Sequence, residues 1–294
     1  MLKLSLRPRQ KAVSALLAGS VFWGLLWWPL KSLVLLHIQG SVVQVYAFGI
    51  SVLLLLPNVW GNLARLRGQI RLVLLIAALG GWATTALVTS LAAGSVVRVM
   101  LLFYLAPVWT ILAAKIFLGE AFTQLRLIAL ALALAGLAAT LGGPEIFSTP
   151  LSMMDMLALS SGLTFALNNV AVRIGHDLPD TVRAVAINTG CVVISFGFMC
   201  WNGQSVFALD IIQIAILSAL GLLWILPGTL ATFYGVARLD AGKAAILLLA
   251  ELLVGVFSAV WIGGEHLSLH EMAGGILILT AAVIEARSEN SAPA

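Results

Sequence analysis

Glu251 is the residue best placed to do chemistry. It interrupts an apolar run at 242–263, several residues from either end. A carboxyl group surrounded by lipid costs about 3 kcal/mol unless it is paired, solvated or protonated. Three uses offset that cost: exchanging a proton, holding a cationic ligand group, or hydrogen-bonding a neighbouring helix. At helical spacing Lys243, Leu247, Gly255 and Ser258 share one broad face with it. Lys243 stands about two turns away, which leaves direct pairing open.

Aromatic and small polar residues form further stripes. Ser20, Trp23, Gly24, Trp27 and Lys31 fall within an arc of about 100° at helical spacing. Trp82, Thr85 and Thr89 share a face, and Trp224, Pro227, Gly228 and Tyr234 follow one another in another apolar run. Such stripes suit an amphipathic ligand; equally, small residues permit close helix packing and tryptophans fill gaps or face lipid. Pro227-Gly228 lies deep in its run and should kink the helix, freeing backbone carbonyls.

Other chemistries find no support. Gly242-Lys243 lacks the preceding glycine of a nucleotide-binding loop. His37, His176, His266 and His270 are scattered, and Cys191 and Cys200 have no metal-ligand spacing. No cofactor and no metal are therefore expected. An intramembrane enzyme would need polar groups clustered at one depth, and only Glu251 and the Asn168-Asn169 pair offer themselves.

The elements that carry these residues must be membrane helices. The chain of 294 residues is 61% hydrophobic and 10% charged, whereas soluble domains are about one quarter charged. Spans of about 20 residues fill the chain and leave no room for a sizeable soluble domain. The fold class is all-α, because lipid-exposed backbone must satisfy its own hydrogen bonds and the segments are too long for barrel strands. Ten spans are placed at 12–36, 40–57, 70–91, 96–117, 124–142, 152–173, 181–201, 210–236, 242–263 and 268–286. Turn signals stand at Pro57-Asn58, Gly142-Gly143-Pro144 and Gly263-Gly264.

Charge fixes an orientation. With the N-terminus inside, Lys3, Arg7, Arg9, Lys11, Arg65, Arg67, Arg71, Lys115, Arg126, Arg173, Arg183, Arg238, Lys243 and Arg287 fall at cytoplasmic ends, and only Lys31 and Arg98 fall outside. Both termini are then cytoplasmic. The net charge of +4 is explained by this bias, with no compact basic domain for nucleic acid. Arg98 either attracts a carboxylate or snorkels to headgroups. Trp60, Trp201 and Trp261, near span ends, read as interface anchors. The Ala- and Gly-rich fifth and tenth spans, with Ala135, Ala139 and Gly274-Gly275, either brace each half or form a homodimer face.

The chain also repeats itself. Residues 105–120 read LAPVWTILAAKIFLGE and residues 250–265 read AELLVGVFSAVWIGGE; residues 22–31 (FWGLLWWPLK) align with 164–173 (TFALNNVAVR), pairing Trp27 with Asn169. Both matches have an offset near half the chain. Five spans per half make residues 1–146 and 147–294 two inverted repeats. Glu120 and Glu265, which end the matching segments, read as loop anchors.

These segments resemble the fourth span of the drug/metabolite transporter superfamily, whose typical pattern is Leu-Glu-Pro, small and apolar residues, then Leu-Gly-Glu. The chain is similar to the ten-span EamA group of that superfamily. The first half keeps Pro107 but has Ala106 where Glu is common; the second keeps Glu251 but has Leu252 where Pro is common. The aromatic-rich 22–31 segment looks most like the bacterial YddG-type exporters of aromatic amino acids. The resemblance implies a cavity between the halves, lined by the first, third and fourth helices of each. It implies substrate contacts from Trp23, Trp27, Trp82, Thr85, Asn169, Trp224, Tyr234 and Glu251, with Glu251 the coupling candidate. The expected activity is export of small amphipathic metabolites, aromatic amino acids first, across the cytoplasmic (inner) membrane by alternating access. Other amino acids, metabolites or drugs are the alternative substrates.

Overall fold

The structure, a computed structural model, describes residues 8–61, 67–118, 124–140, 151–174, 177–203, 209–236, 238–239 and 241–289. The Gly142-Gly143-Pro144 turn, Lys3, Arg7, Arg65 and Glu120, and the side chains of Arg9, Arg126, Arg173, Lys243 and Arg287, lie outside the described residues. Among the described residues there is no strand. The helices are α1 (Pro8–Gly24), α2 (Trp27–Leu35), α3 (Gly40–Leu55), α4 (Pro57–Trp60), α5 (Ile70–Ala93), α6 (Val96–Phe103) and α7 (Ala106–Leu118). They continue as α8 (Gln124–Thr140), α9 (Met153–Ile174), α10 (Asp180–Trp201), α11 (Ile211–Leu220), α12 (Leu226–Val236), α13 (Ala241–Trp261) and α14 (Leu269–Glu289). Among the described residues, five stretches are long and apolar enough to cross a membrane: Gln10–Leu35, Ile70–Ala93, Val96–Phe117, Asp180–Trp201 and Ile211–Val236. Gly40–Leu55, Leu127–Thr140, Leu247–Trp261 and Leu269–Ile284 are shorter apolar helices.

Prolines decide where the long stretches break. A proline has no N–H for the carbonyl four residues back, and its ring crowds that carbonyl. Pro29 leaves the Leu25 carbonyl to the Trp28 N–H at 3.1 Å, and the Leu26 N–H turns to Trp23 at 3.2 Å. The chain therefore leaves α1 at Gly24 and re-enters as α2 at Trp27. Pro107, which likewise has no N–H to donate, follows the break at Tyr104–Leu105 between α6 and α7, where Leu105 N–H bonds Leu102 at 3.3 Å. Ahead of Pro227 the chain takes a π-helical turn at Gly221–Ile225, the Leu226 N–H reaching back to the Gly221 carbonyl. The expected kink at Pro227-Gly228 is thus displaced to the preceding turn, which absorbs the lost bond by widening.

The packing is the same after the halves are exchanged. Helix α1 packs on α12 and α13; correspondingly, α9 packs on α5 and on α6 and α7. Helix α3 packs on the π-helical turn and α11, and α10 packs on α5. Two contacts map onto themselves, α3 with α10 and α8 with α14. Glycines allow the closest of these. A Cβ on Gly81 would meet the Gly190 backbone, and one on Gly274 would come within 2.6 Å of the Gly136 carbonyl oxygen. Gly136 and Gly274 therefore bring the fifth and tenth segments together across the two halves, whereas Ala135 of the predicted small-residue face is exposed and Ala139 half-buried.

Buried polar side chains join α3, α5 and α10. Gln44 donates from Nε2 to Thr89 Oγ1 at 3.1 Å and accepts from Ser195 Oγ at 2.9 Å. Asn188 Nδ2 donates to Ser51 Oγ at 3.1 Å. Because these groups satisfy one another, they fix helix register without leaving polar atoms in an apolar interior.

Candidate functional site

The breaks in the α1–α2, α6–α7 and α11–α12 stretches all lie against one another or against α13. Gly24, at the end of α1, packs on the backbone of α13: a Cβ there would come within 2.7 Å of the Glu251 carbonyl oxygen and 2.9 Å of the Val254 side chain. Only glycine permits that approach. From the α6–α7 break, Tyr104 reaches over α13. Its hydroxyl donates to the Leu248 carbonyl, three residues before Glu251 on the same helix, at 3.0 Å. Ser20 Oγ donates to the Leu247 carbonyl at 3.4 Å. Leaving the helical ladder frees the Phe22 carbonyl, and Trp224 in the π-helical turn donates to it from Nε1 at 2.7 Å. The Trp224 and Phe22 rings meet edge-on at 5.5 Å, and Trp23 tilts over Phe48 at 6.5 Å.

Four of the predicted residues thus line one run along α1–α2 and its neighbours: Trp23, Trp224, Glu251 and, further along, Trp27. Trp27 is buried and donates from Nε1 to Ser258 Oγ at 2.9 Å. The others stand elsewhere. Trp82 donates to Ser160 Oγ at 3.2 Å and packs on Phe198 at 6.1 Å. Thr85 lies in the seam between α5 and α10, 3.4 Å from Ser195 Oγ. Asn169 is half-buried on α9, and Tyr234 is exposed on α12 with the Arg238 guanidinium 3.9 Å over its ring. Sequence reasoning missed Tyr104, an aromatic in an otherwise apolar run whose polar end is invisible until the chain bends before Pro107. Among the described residues, the buried polar atoms without a hydrogen-bond partner include Asn168 Oδ1, Thr229 Oγ1 and Thr232 Oγ1.

Beyond Trp27, charged groups gather at the end of the bundle where α2 finishes. Lys31 Nζ donates to Glu265 Oε1 at 2.9 Å. Glu265 also accepts from the backbone N–H of Val96 at 2.9 Å and of Val97 at 3.1 Å, and from Ser95 Oγ at 2.9 Å. It therefore caps α6, where exposed N–H groups and the helix dipole favour an anion. Burial alone would raise the Glu265 carboxyl; the bonds from Lys31, Val96 and Val97 outweigh it and hold the carboxyl below its ordinary range. Arg98, in the first turn of α6, donates to Asp155 Oδ1 of α9 at 2.8 Å. The snorkelling expectation for Arg98 gives way to this ion pair. Glu265 anchors its loop as expected, and it does so onto the other half.

The EamA-like transporter family matches residues 10–142 and 152–285, one match in each half. The chain belongs to the EamA-like transporter family. It is a multi-pass membrane transporter of small molecules, and this EamA-like fold is shared with a solved structure titled "Crystal structure of protein". That structure is 18% identical, with a TM-score of 0.60 over 93% of this chain and 95% of that one. No curated protein matches the chain at a significant level.

Proposed function

We propose that this EamA-like chain crosses the cytoplasmic (inner) membrane ten times, as two inverted five-helix repeats, 1–146 and 147–294, with both termini in the cytoplasm. It exports small amphipathic metabolites, aromatic amino acids first, by alternating access. The observation that carries this reading is the approach of Gly24 and Tyr104 to the Leu248–Glu251 turn of α13, where broken helices of the two halves converge. A carboxyl and a hydroxyl there can take an ammonium group, and Trp23 and Trp224 offer ring surface to an aromatic side chain. Glu251 serves either as that ammonium ligand or as the group that exchanges protons to couple export to a gradient.

The test is transport in proteoliposomes with labelled aromatic amino acids, with and without a proton gradient. Glu251→Gln should insert and fold but lose transport. Retained substrate binding with a lost response to the gradient assigns proton coupling; lost binding assigns the ammonium contact. Wild-type transport by Glu251→Gln with unchanged pH dependence would reduce the residue to a structural hydrogen bond. Transport confined to sugars or nucleotides would remove the aromatic amino acids.

A further inference from the structure

We infer that Lys31–Glu265 and Arg98–Asp155 form a latch that closes the bundle at the end where α2 finishes, and that it must open for a substrate to pass there. The inference rests on the alternating-access reading. Both ion pairs join one half to the other: Lys31 and Arg98 belong to the first, Glu265 and Asp155 to the second. Both converge on the first turn of α6, through Ser95, Val96, Val97 and Arg98. Asp155 is itself held, accepting from the Ser152 N–H at 3.0 Å. Directly beneath, Trp27 is bonded to Ser258, so an aromatic plug and a charged clasp close the same seam between α2 and α13. Surface ion pairs contribute little singly. Here Glu265 takes four donors at once, two of them backbone N–H groups fixed by a helix, and its side chain is only 16% exposed. The cap is stable while α6 and the Glu265 loop stay together, and it has to be given up whole when they part. In the proposed topology this is the outer side, so the latch holds the protein closed to the outside.

The test uses the full chain in lipid nanodiscs. Cysteines are placed at Ser32 and His266, exposed neighbours of Lys31 and Glu265, with Cys191 and Cys200 replaced by alanine, and spin-label distances are measured. The closed latch gives one short population. Glu265→Gln should raise a longer-distance population on the order of tenfold, the effect on an equilibrium of losing one charge-assisted hydrogen-bonded contact. Asp155→Asn should raise it too, and the double variant further. Distances unchanged in a folded, monodisperse double variant would overturn the latch. Should Glu265→Gln fail to insert, Arg98→Gln leaves the Glu265 cap whole and carries the same test. No substrate is needed, so shifted distances in a protein that transports nothing would uphold the latch while removing the transport reading.

Discussion

Tyr104 spends its hydroxyl on the Leu248 carbonyl, three residues before Glu251 on α13. A hydrogen bond of this neutral kind contributes about 0.5–1.5 kcal/mol. Tyr104→Phe keeps the ring in its buried place beside Phe103, where the rings stand edge-on at 5.3 Å, and removes only the hydroxyl. The expected outcome is a fold and melting temperature close to wild type, with transport lowered roughly tenfold in the proteoliposome assay. Unchanged transport would detach Tyr104 from Glu251. At this scale the sequence was partly legible. Glu251 stood out because a carboxyl in an apolar run needs a reason. Tyr104 did not, because Pro107 marks roughly where the chain breaks but not which neighbour the Tyr104 hydroxyl then meets. The Arg98–Asp155 pair was hidden for another reason: its members are 57 residues apart, and no local spacing rule reaches so far.

At the scale of elements, prolines and glycines carry most of the information. Each long break sits just ahead of a proline, so its approximate place is readable from the chain. Its form is not: Pro29 yields a two-residue gap, Pro227 a π-helical turn. What decides is the neighbour that takes the freed carbonyl, as Trp224 takes that of Phe22. The pairing of α8 with α14 was legible as a small-residue face but not as to its partner. The partner is the opposite half of the same chain, met through Gly136 and Gly274, while Ala135 of the predicted face stays exposed. Gly274→Val tests this. A Cβ there meets the Gly136 carbonyl at 2.6 Å and the Thr140 backbone N at 2.8 Å, and overpacking of this kind costs about 1–3 kcal/mol. The expected outcome is a lower thermal unfolding temperature in detergent with no change in oligomeric state. A loss of dimer at unchanged stability would move the face to an intermolecular role.

For the whole molecule, the exchangeable packing is the strongest statement. Repeat matches in the sequence indicated two halves; the structure shows that the main partners of α1 and α9 lie in the half to which each does not belong. The proposed orientation is checked with reporters fused at Gly143 and after Arg287. They should report opposite sides of the membrane, and agreement between them would mean that the span count is wrong.

That cross-packing also sets a timetable for assembly. The Phe22 carbonyl waits for Trp224, 202 residues later, and Trp27 waits for Ser258, 231 residues later. At synthesis rates of about 5–20 residues per second, the first helix spends roughly 10–45 s in the bilayer before its partners arrive. During that interval Gly19, Ser20 and the carbonyls freed by Pro29 face lipid or the insertion machinery rather than protein. The first half is thus a sequence unit without being a folding unit, and its earliest segment is among the last to be completed.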